Sequence, residues 1–417
     1  MTAALGRPLF ISGTSRGGTN LLGQVLGANN QVTLAIDPFL PLFRQLRNAI
    51  LLGCDDAEVR EKFNPKSPLD DYYFSPFKLR TMKLIQGASL SVPYNLSQKR
   101  AMLDEIKPRT WQTSADLVAY LDMLPGETFS QVFSNALRMI SKARNGEGRR
   151  WVGFNENWAV EFFSLLAREF PDARFIIFIR DPRAAIASAL RADDPSQIPL
   201  VLSFLRNWRK YLAFTAHFSQ LPLFRDRLLV TTYEDLVQQP EQSAKALSDF
   251  LEIPFDPRML DTSNFRSFAG DPKGHPWANN SHQATQGSGI YQTSLNAWEK
   301  SLSQPVKDTI DFICEPEMSL FGYASLEYSG HSLPSAESLS FIAEDSAQCQ
   351  GWRTDFGNME RDIGSEMFRR VVLSDFPGNF DDGMIERCFL FQEVYSALTN
   401  NKTPIQHLSA TGAALDE

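Results

Sequence analysis

Two hydrophobic patterns divide this chain. Near its start, Leu9, Phe10 and Ile11 form a short apolar run, followed by a glycine-rich turn and then Leu21, Leu22, Val25 and Leu26 at helical spacing. This predicts a strand, a tight turn and a helix. The alternation returns over residues 146–255. There Trp151–Phe154, Phe175–Ile179 and Leu228–Thr232 read as strands, and Asn157–Glu169, 183–191, Leu202–Phe218 and Glu241–Phe250 as helices. Unbroken apolar strands alternating with helices predict an α/β fold, a parallel sheet flanked by helices. The stretch 49–145 has no strand-like run. Its segments Ala115–Met123 and Phe129–Ile140 carry apolar residues at helical spacing, which predicts a helical insertion over the face of the site. Towards the C-terminus, Met384–Leu398 places Ile385, Phe389 and Tyr395 on one face of a helix.

Charge adds a boundary to this picture. Of the 41 basic and 49 acidic residues, 6 and 14 fall in 331–417, so the first 330 residues hold 35 of each. The whole net charge of −8 therefore belongs to an acidic C-terminal extension, set off by the SGHSLPSAES junction. The expected division is 1–330 as one domain, with the insertion at about 49–145, and 331–417 as the extension. A neutral first part speaks against a nucleic-acid partner, which would call for a basic excess. No 18-residue apolar stretch occurs, so no membrane span is expected. The first residues lack a charged and then apolar leader, and Cys54, Cys314, Cys349 and Cys388 show neither pair nor metal spacing. A cytoplasmic protein without a metal is the simplest expectation.

Two strand-to-helix corners carry the candidate chemistry. In FISGTSRGGTNLL, Gly13, Gly17 and Gly18 permit close backbone approach, and the start of the following helix presents free N–H groups to an anion. A P-loop would place lysine after Gly18, where Thr19 and Asn20 stand instead. With Arg16 inside the loop, a single phosphate suits it better than a triphosphate. In ARFIIFIRDPRAAIASAL, Arg180 ends a strand, Asp181 is placed to cap a helix with Pro182 in its first turn, and Ser188 lies on the second turn. A guanidinium and a hydroxyl at such a corner suit a second phosphate. Taken singly, Arg180 also fits a surface ion pair and Ser188 a helix filler.

Together, SRGGTNLL and FIRDPRAAIAS resemble the 5′-phosphosulfate loop and the 3′-phosphate motif of the sulfotransferase family. FNENWAVEFFSLLAREFPDARF, LLVTTYEDLVQQPEQSAKALSDFLEIPFDPRML and the Trp298–Lys300 segment extend the resemblance over roughly residues 7 to 323. It implies a P-loop-NTPase-like sulfotransferase fold, the donor 3′-phosphoadenosine-5′-phosphosulfate (PAPS), no metal, and a sulfuryl group moved to an acceptor hydroxyl. On this resemblance Arg16, Gly17, Gly18, Thr19 and Asn20 hold the leaving-group side, and Arg180, Ser188 and Arg191 the 3′-phosphate. Tyr233, in YEDL, approaches the nucleotide, and Ser294 and Lys300 close over it.

Asp37 follows Arg16 by 21 residues. The tyrosylprotein branch of the family carries a catalytic glutamate at a matching distance, which makes Asp37 the expected base. The alternative is a turn or cap residue, since Pro38 follows it. His275 and His282 are further candidates for the base. Asn155 stands where relatives commonly carry a lysine beside the transferred group, so it brings a hydrogen bond without a charge. Glu156 reads as a second acid or as a helix N-terminal carboxylate. The insertion interleaves Lys78, Arg80, Lys83, Lys99, Arg100, Lys107 and Arg109 with Tyr72, Tyr73, Tyr94 and Trp111. That mixture suits a carbohydrate acceptor first, with a peptide tyrosine or lipid alcohol next, or else an ordinary helix surface. Two other functions compete: a small-molecule kinase with an atypical P-loop, and a non-catalytic nucleotide-binding module.

Overall fold

The computed structural model describes residues 5–94, 96–157, 159–190, 201–265, 290, 292, 294–323, 359–374 and 380–399. Five strands, β1 (Arg7–Gly13), β2 (Val32–Ile36), β3 (Trp151–Asn155), β4 (Arg174–Ile179) and β5 (Leu228–Thr232), form one sheet in the order β2-β3-β1-β4-β5, every neighbour parallel. The α/β expectation holds, and β2 is a strand that the hydrophobic pattern did not announce. Its run Val-Thr-Leu-Ala-Ile is β-branched at three of five positions and buried throughout.

Alternation along β1 explains the layers. Phe10 faces one side, against Phe154 and Phe175 at ring-centroid distances of 5.3 and 5.6 Å, while Leu9 and Ile11 face the other. The second side is covered by helix α1 (Thr19–Gly27), which brings Leu22, Val25 and Leu26 onto the sheet. Helix α2 (Leu40–Gly53) packs on the first side with Phe43 and Leu46. The insertion then runs through α3 (Ala57–Lys62), α4 (Pro76–Gly87), α5 (Leu96–Thr113), a 3-10 segment at Ala115–Met123 and α6 (Phe129–Ala143). Asp56, Ser75 and Thr128 start α3, α4 and α6 by accepting backbone N–H groups of the first turn. After β3 come α7 (Phe163–Glu169), α8 (Pro182–Ala189), α9 (Val201–Gln220), α10 (Tyr233–Gln238), α11 (Pro240–Phe250), α12 (Ala297–Ser301) and α13 (Gln304–Ser319).

Three more helices, Met359–Ser374, Asp382–Phe389 and Gln392–Thr399, lie in the acidic extension and pack on the rest of the chain. The single helix expected over Met384–Leu398 is two, parted at Leu390, whose φ of +67° leaves the helical region. Glu366 takes Arg209 Nη1 at 2.6 Å and Arg206 Nε at 2.8 Å, and Arg369 pairs with Glu317 of α13, all buried. Phe391 stacks on His217 of α9 with centroids 4.0 Å apart. Among the described residues no helix is long and apolar enough to cross a membrane.

Register sets up the functional edge. Asn155 is level with both Ile11 and Ile36, and Ile179 with Thr232. The residues one step beyond the strands, Asp37, Glu156, Arg180 and Tyr233, therefore emerge side by side at the carboxyl edge of the sheet, where open α/β sheets bind ligands.

Candidate active site

The loop after β1 is shaped by contacts that leave no room for side chains. Gly18 has a φ of +87°, and a Cβ there would lie 2.4 Å from the Tyr233 ring. A Cβ on Gly13 would lie 2.5 Å from the Phe178 carbonyl oxygen. No side chain caps the start of α1, which leaves the first N–H groups facing the loop. Gly18→Ala is expected to destabilise the fold by about 1–2 kcal/mol from the left-handed backbone alone. A urea midpoint equal to that of the native chain would contradict this.

Arg180 ties the two corners together. Its Nη1 donates to the Arg16 carbonyl oxygen at 3.0 Å and its Nη2 to the Ser294 carbonyl oxygen at 3.1 Å. The guanidinium lies 4.1 Å from the centroid of the Tyr233 ring, whose hydroxyl is 2.6 Å from Ser294 Oγ. Asp181 caps α8 by accepting the Arg183 N–H at 2.8 Å. Its own N–H donates to Glu234, 3.1 Å away, which also accepts the Tyr323 hydroxyl at 2.9 Å. Burial pushes the Glu234 carboxyl up to about 7. Arg183 is committed to structure, paired with Asp181 and Asp311 and stacked 4.3 Å over Trp298.

On the other side of β1, Asp37 is buried with a φ of +47°. Its backbone N–H donates to the Asn155 carbonyl oxygen at 3.0 Å. Its carbonyl oxygen accepts Arg109 Nε at 3.0 Å and Thr113 Oγ1 at 3.2 Å, both from α5. Its carboxylate accepts the Asn157 N–H at 3.2 Å and Asn157 Nδ2 at 3.0 Å, with Arg109 Nη2 3.7 Å away. Burial lifts the Asp37 carboxyl above its ordinary range, while Arg109 and the Asn157 N–H pull it back. Asp37 does not cap α2. The Glu156 carboxylate accepts the Phe39 N–H at 2.6 Å, just ahead of α2, while the helix expected from Asn157 starts only at Phe163, after a 3-10 turn. Burial, and then the charge of Asp37, raise the Glu156 carboxyl well above the usual range.

Thr19, Arg16, Arg180, Tyr233, Ser294, Asn155 and Asp37 thus share one edge. Ser188 is half-buried on α8. Lys300 is exposed on α12, beyond the buried Trp298. Arg191, His275 and His282 lie outside the described residues. The cation and aromatic set of the insertion divides: Arg100, Lys107 and Trp111 are exposed on α5, while the others are placed differently. Tyr72, Tyr73 and Tyr94 are core residues, and Lys78, Arg80, Lys83 and Lys99 are each paired with carboxylates. Arg109 alone of that set reaches Asp37 among the contacts described here. The sequence reading missed Asn157 and the role of Arg109, because both meet Asp37 across long chain separations. The strand signal of Val32–Ile36 would have placed Asp37 at a strand end, level with Asn155.

The edge also holds buried polar atoms without a hydrogen bond: Thr14 Oγ1, Asn20 Oδ1, Asn155 Nδ2, Glu156 Oε1 and Arg180 Nε. Folded chains leave few such groups, and the three donors among them, Thr14 Oγ1, Asn155 Nδ2 and Arg180 Nε, beside a glycine loop fit a polar, anionic ligand.

A model of the sulfotransferase family matches residues 8–257. Carbohydrate sulfotransferase 3 of Homo sapiens is 30% identical over 190 residues, 39% of this chain and 36% of that protein. Protein-tyrosine sulfotransferase 2 of Gallus gallus is 30% identical over 122 residues, 28% of this chain and 32% of that protein. A solved sulfotransferase domain from the curacin biosynthetic pathway is 19% identical, with a TM-score of 0.42 over 75% of this chain and 98% of that one. The chain matches about a third of the length of these curated relatives. Because the family model spans more than half of the chain and takes in both strand-to-helix corners and Asp37, this chain belongs to the sulfotransferase family.

Proposed function

We propose that the chain transfers a sulfuryl group from PAPS to an acceptor hydroxyl, with Asp37 as the base. The observation that carries this reading is the buried Asp37 carboxylate, one residue past β2, linked through Asn157 to Thr19 at the start of α1 and not used as a helix cap. PAPS supplies a sulfuryl group whose bond to a 5′-phosphate oxygen breaks as the acceptor oxygen bonds to sulfur. The unpartnered donors of Thr14, Asn155 and Arg180 fit such a donor molecule. In this reading Arg16 and the N–H groups of Gly18, Thr19 and Asn20 hold the leaving phosphate and take up its growing charge, whereas the Gly17 N–H closes the loop on the Thr14 carbonyl oxygen at 3.0 Å and the Thr19 hydroxyl is donated to Asn157. Arg180 and Ser188, with Arg191, hold the 3′-phosphate, and Tyr233, Ser294 and Lys300 border the nucleotide. Asn155 directs its free Nδ2 donor at the same edge, without the charge of a lysine. Asp37 receives the acceptor proton, and its raised carboxyl makes it a stronger base at neutral pH than an exposed aspartate. The rate should therefore rise with pH as Asp37 ionises, with an acid limb above the ordinary aspartate value.

A carbohydrate hydroxyl is the favoured acceptor, in line with the relative named as a carbohydrate sulfotransferase, and a tyrosine hydroxyl is the next. Radiolabelled-sulfate transfer from PAPS to glycans, tyrosine peptides and lipid alcohols tests both. Bisphosphate binding with no transfer to any acceptor would favour a non-catalytic module. Labelling from ATP that stops with EDTA would favour a kinase.

Arg180→Ala is expected to weaken adenosine 3′,5′-bisphosphate binding more than tenfold, and adenosine 5′-phosphosulfate, which lacks the 3′-phosphate, far less. Calorimetry that finds both weakened equally would remove Arg180 from the 3′-phosphate site.

A further inference from the structure

We propose that Asn157 is a positioning residue that joins the donor loop to the base, taking the Thr19 hydroxyl on one side and holding the Asp37 carboxylate on the other. The proposal rests on the function put forward above. Three hydrogen bonds carry it. Thr19 Oγ1 donates to Asn157 Oδ1 at 3.1 Å, Asn157 Nδ2 donates to Asp37 Oδ2 at 3.0 Å, and the Asn157 N–H donates to Asp37 Oδ1 at 3.2 Å. The amide orientation is forced by its partners. Turned over, it would set its oxygen against a carboxylate oxygen. An amide offers an acceptor to a hydroxyl and a donor to a carboxylate at once, and neither aspartate nor an apolar residue does so.

Two donors on two different oxygens fix the plane of the Asp37 carboxylate. Thr19 begins α1, so the same side chain also fixes the base relative to the loop. Among the described residues, the charged groups facing Asp37 are Arg109 of α5, at 3.7 Å, and Glu156, which follows β3 and lies 4.0 Å from the same guanidinium. Arg109 is half-exposed, and its closest bond is to the Asp37 backbone carbonyl. Asn157 is therefore the residue that bonds directly to both carboxylate oxygens. Hydrogen bonds to an ionised carboxylate favour its charged form, so losing them should leave Asp37 harder to ionise.

The test uses the full chain with Asn157→Ala and Asn157→Asp. Turnover with a working acceptor is followed against pH, and bisphosphate affinity by calorimetry. Asn157→Ala should lower kcat at pH 7 by about tenfold or more and move the acid limb up by roughly one pH unit, the equivalent of a tenfold change in ionisation. Asn157→Asp, which adds a like charge, should move it further. Bisphosphate affinity should stay within about threefold, in keeping with a residue that positions the base. An independent readout is the carboxyl carbon resonance of Asp37, assigned by its absence from Asp37→Asn and titrated in native and Asn157→Ala chains. An upward-shifted titration with no transfer by the native chain would uphold the link and overturn the reaction. An unmoved acid limb and an unmoved titration, whatever happens to kcat, would overturn the link and leave the reaction standing.

Discussion

Replacing Asp37 with asparagine is expected to cut turnover by about 10²–10⁴-fold while leaving bisphosphate affinity within a few-fold. The variant separates chemistry from folding better than most. Asparagine has the volume of aspartate and is among the residues that best tolerate a positive φ, such as the +47° at this position. It keeps the backbone bonds to Asn155, Arg109 and Thr113, which hold the turn. It cannot accept the acceptor proton. It also ends the charge interaction that raises Glu156, so that carboxyl should ionise at lower pH in the variant. Native turnover in Asp37→Asn would remove Asp37 from the mechanism and turn attention to the histidines of the 270–289 stretch.

Glu366→Ala is expected to destabilise the chain by about 3–5 kcal/mol, the cost of leaving buried guanidiniums without their anion. Arg209 is fully buried and bonds both Glu366 oxygens, at 2.6 and 3.0 Å, and Arg206 adds a third bond at 2.8 Å. Burial alone would raise the Glu366 carboxyl, yet Arg209 and Arg206 outweigh it and hold the group down to about 2. A folded-state value below the ordinary 4.5 means that this stabilisation is complete above pH 4.5 and fades as pH falls through about 2. Native and variant chains should therefore differ most in urea midpoint near neutral pH and converge in strong acid. Equal midpoints at pH 7 would show that the helix Met359–Ser374 is not held by this network.

The legible parts of the fold are those in which one strand-length run is buried on both faces. Phe175–Ile179 and Leu228–Thr232 read clearly because no polar residue with a long side chain interrupts them. Val32–Ile36 escaped notice because Thr33 and Ala35 dilute its apolar content, although all five residues are buried. The two anion corners were legible because their chemistry is local: glycines, a cap and a strand-end arginine lie within a few residues of one another. The partners of Asp37 were not, since Asn157 lies 120 positions away and Arg109 lies 72 away, and neither separation leaves a trace in composition. The insertion misled for a related reason. Tyr72, Tyr73 and Tyr94 lie in the segments that lead into α4 and α5 and are buried in the core, while Lys78, Lys83 and Lys99 on those helices meet carboxylates.

The Tyr233 ring lies against Gly18 of the first corner and carries the Arg180 guanidinium of the second over it. On the function proposed above, this incompressible ring helps to set the distance between the phosphosulfate end and the 3′ end. Nucleotides whose phosphates sit closer together or farther apart would then be told apart by length as well as by charge.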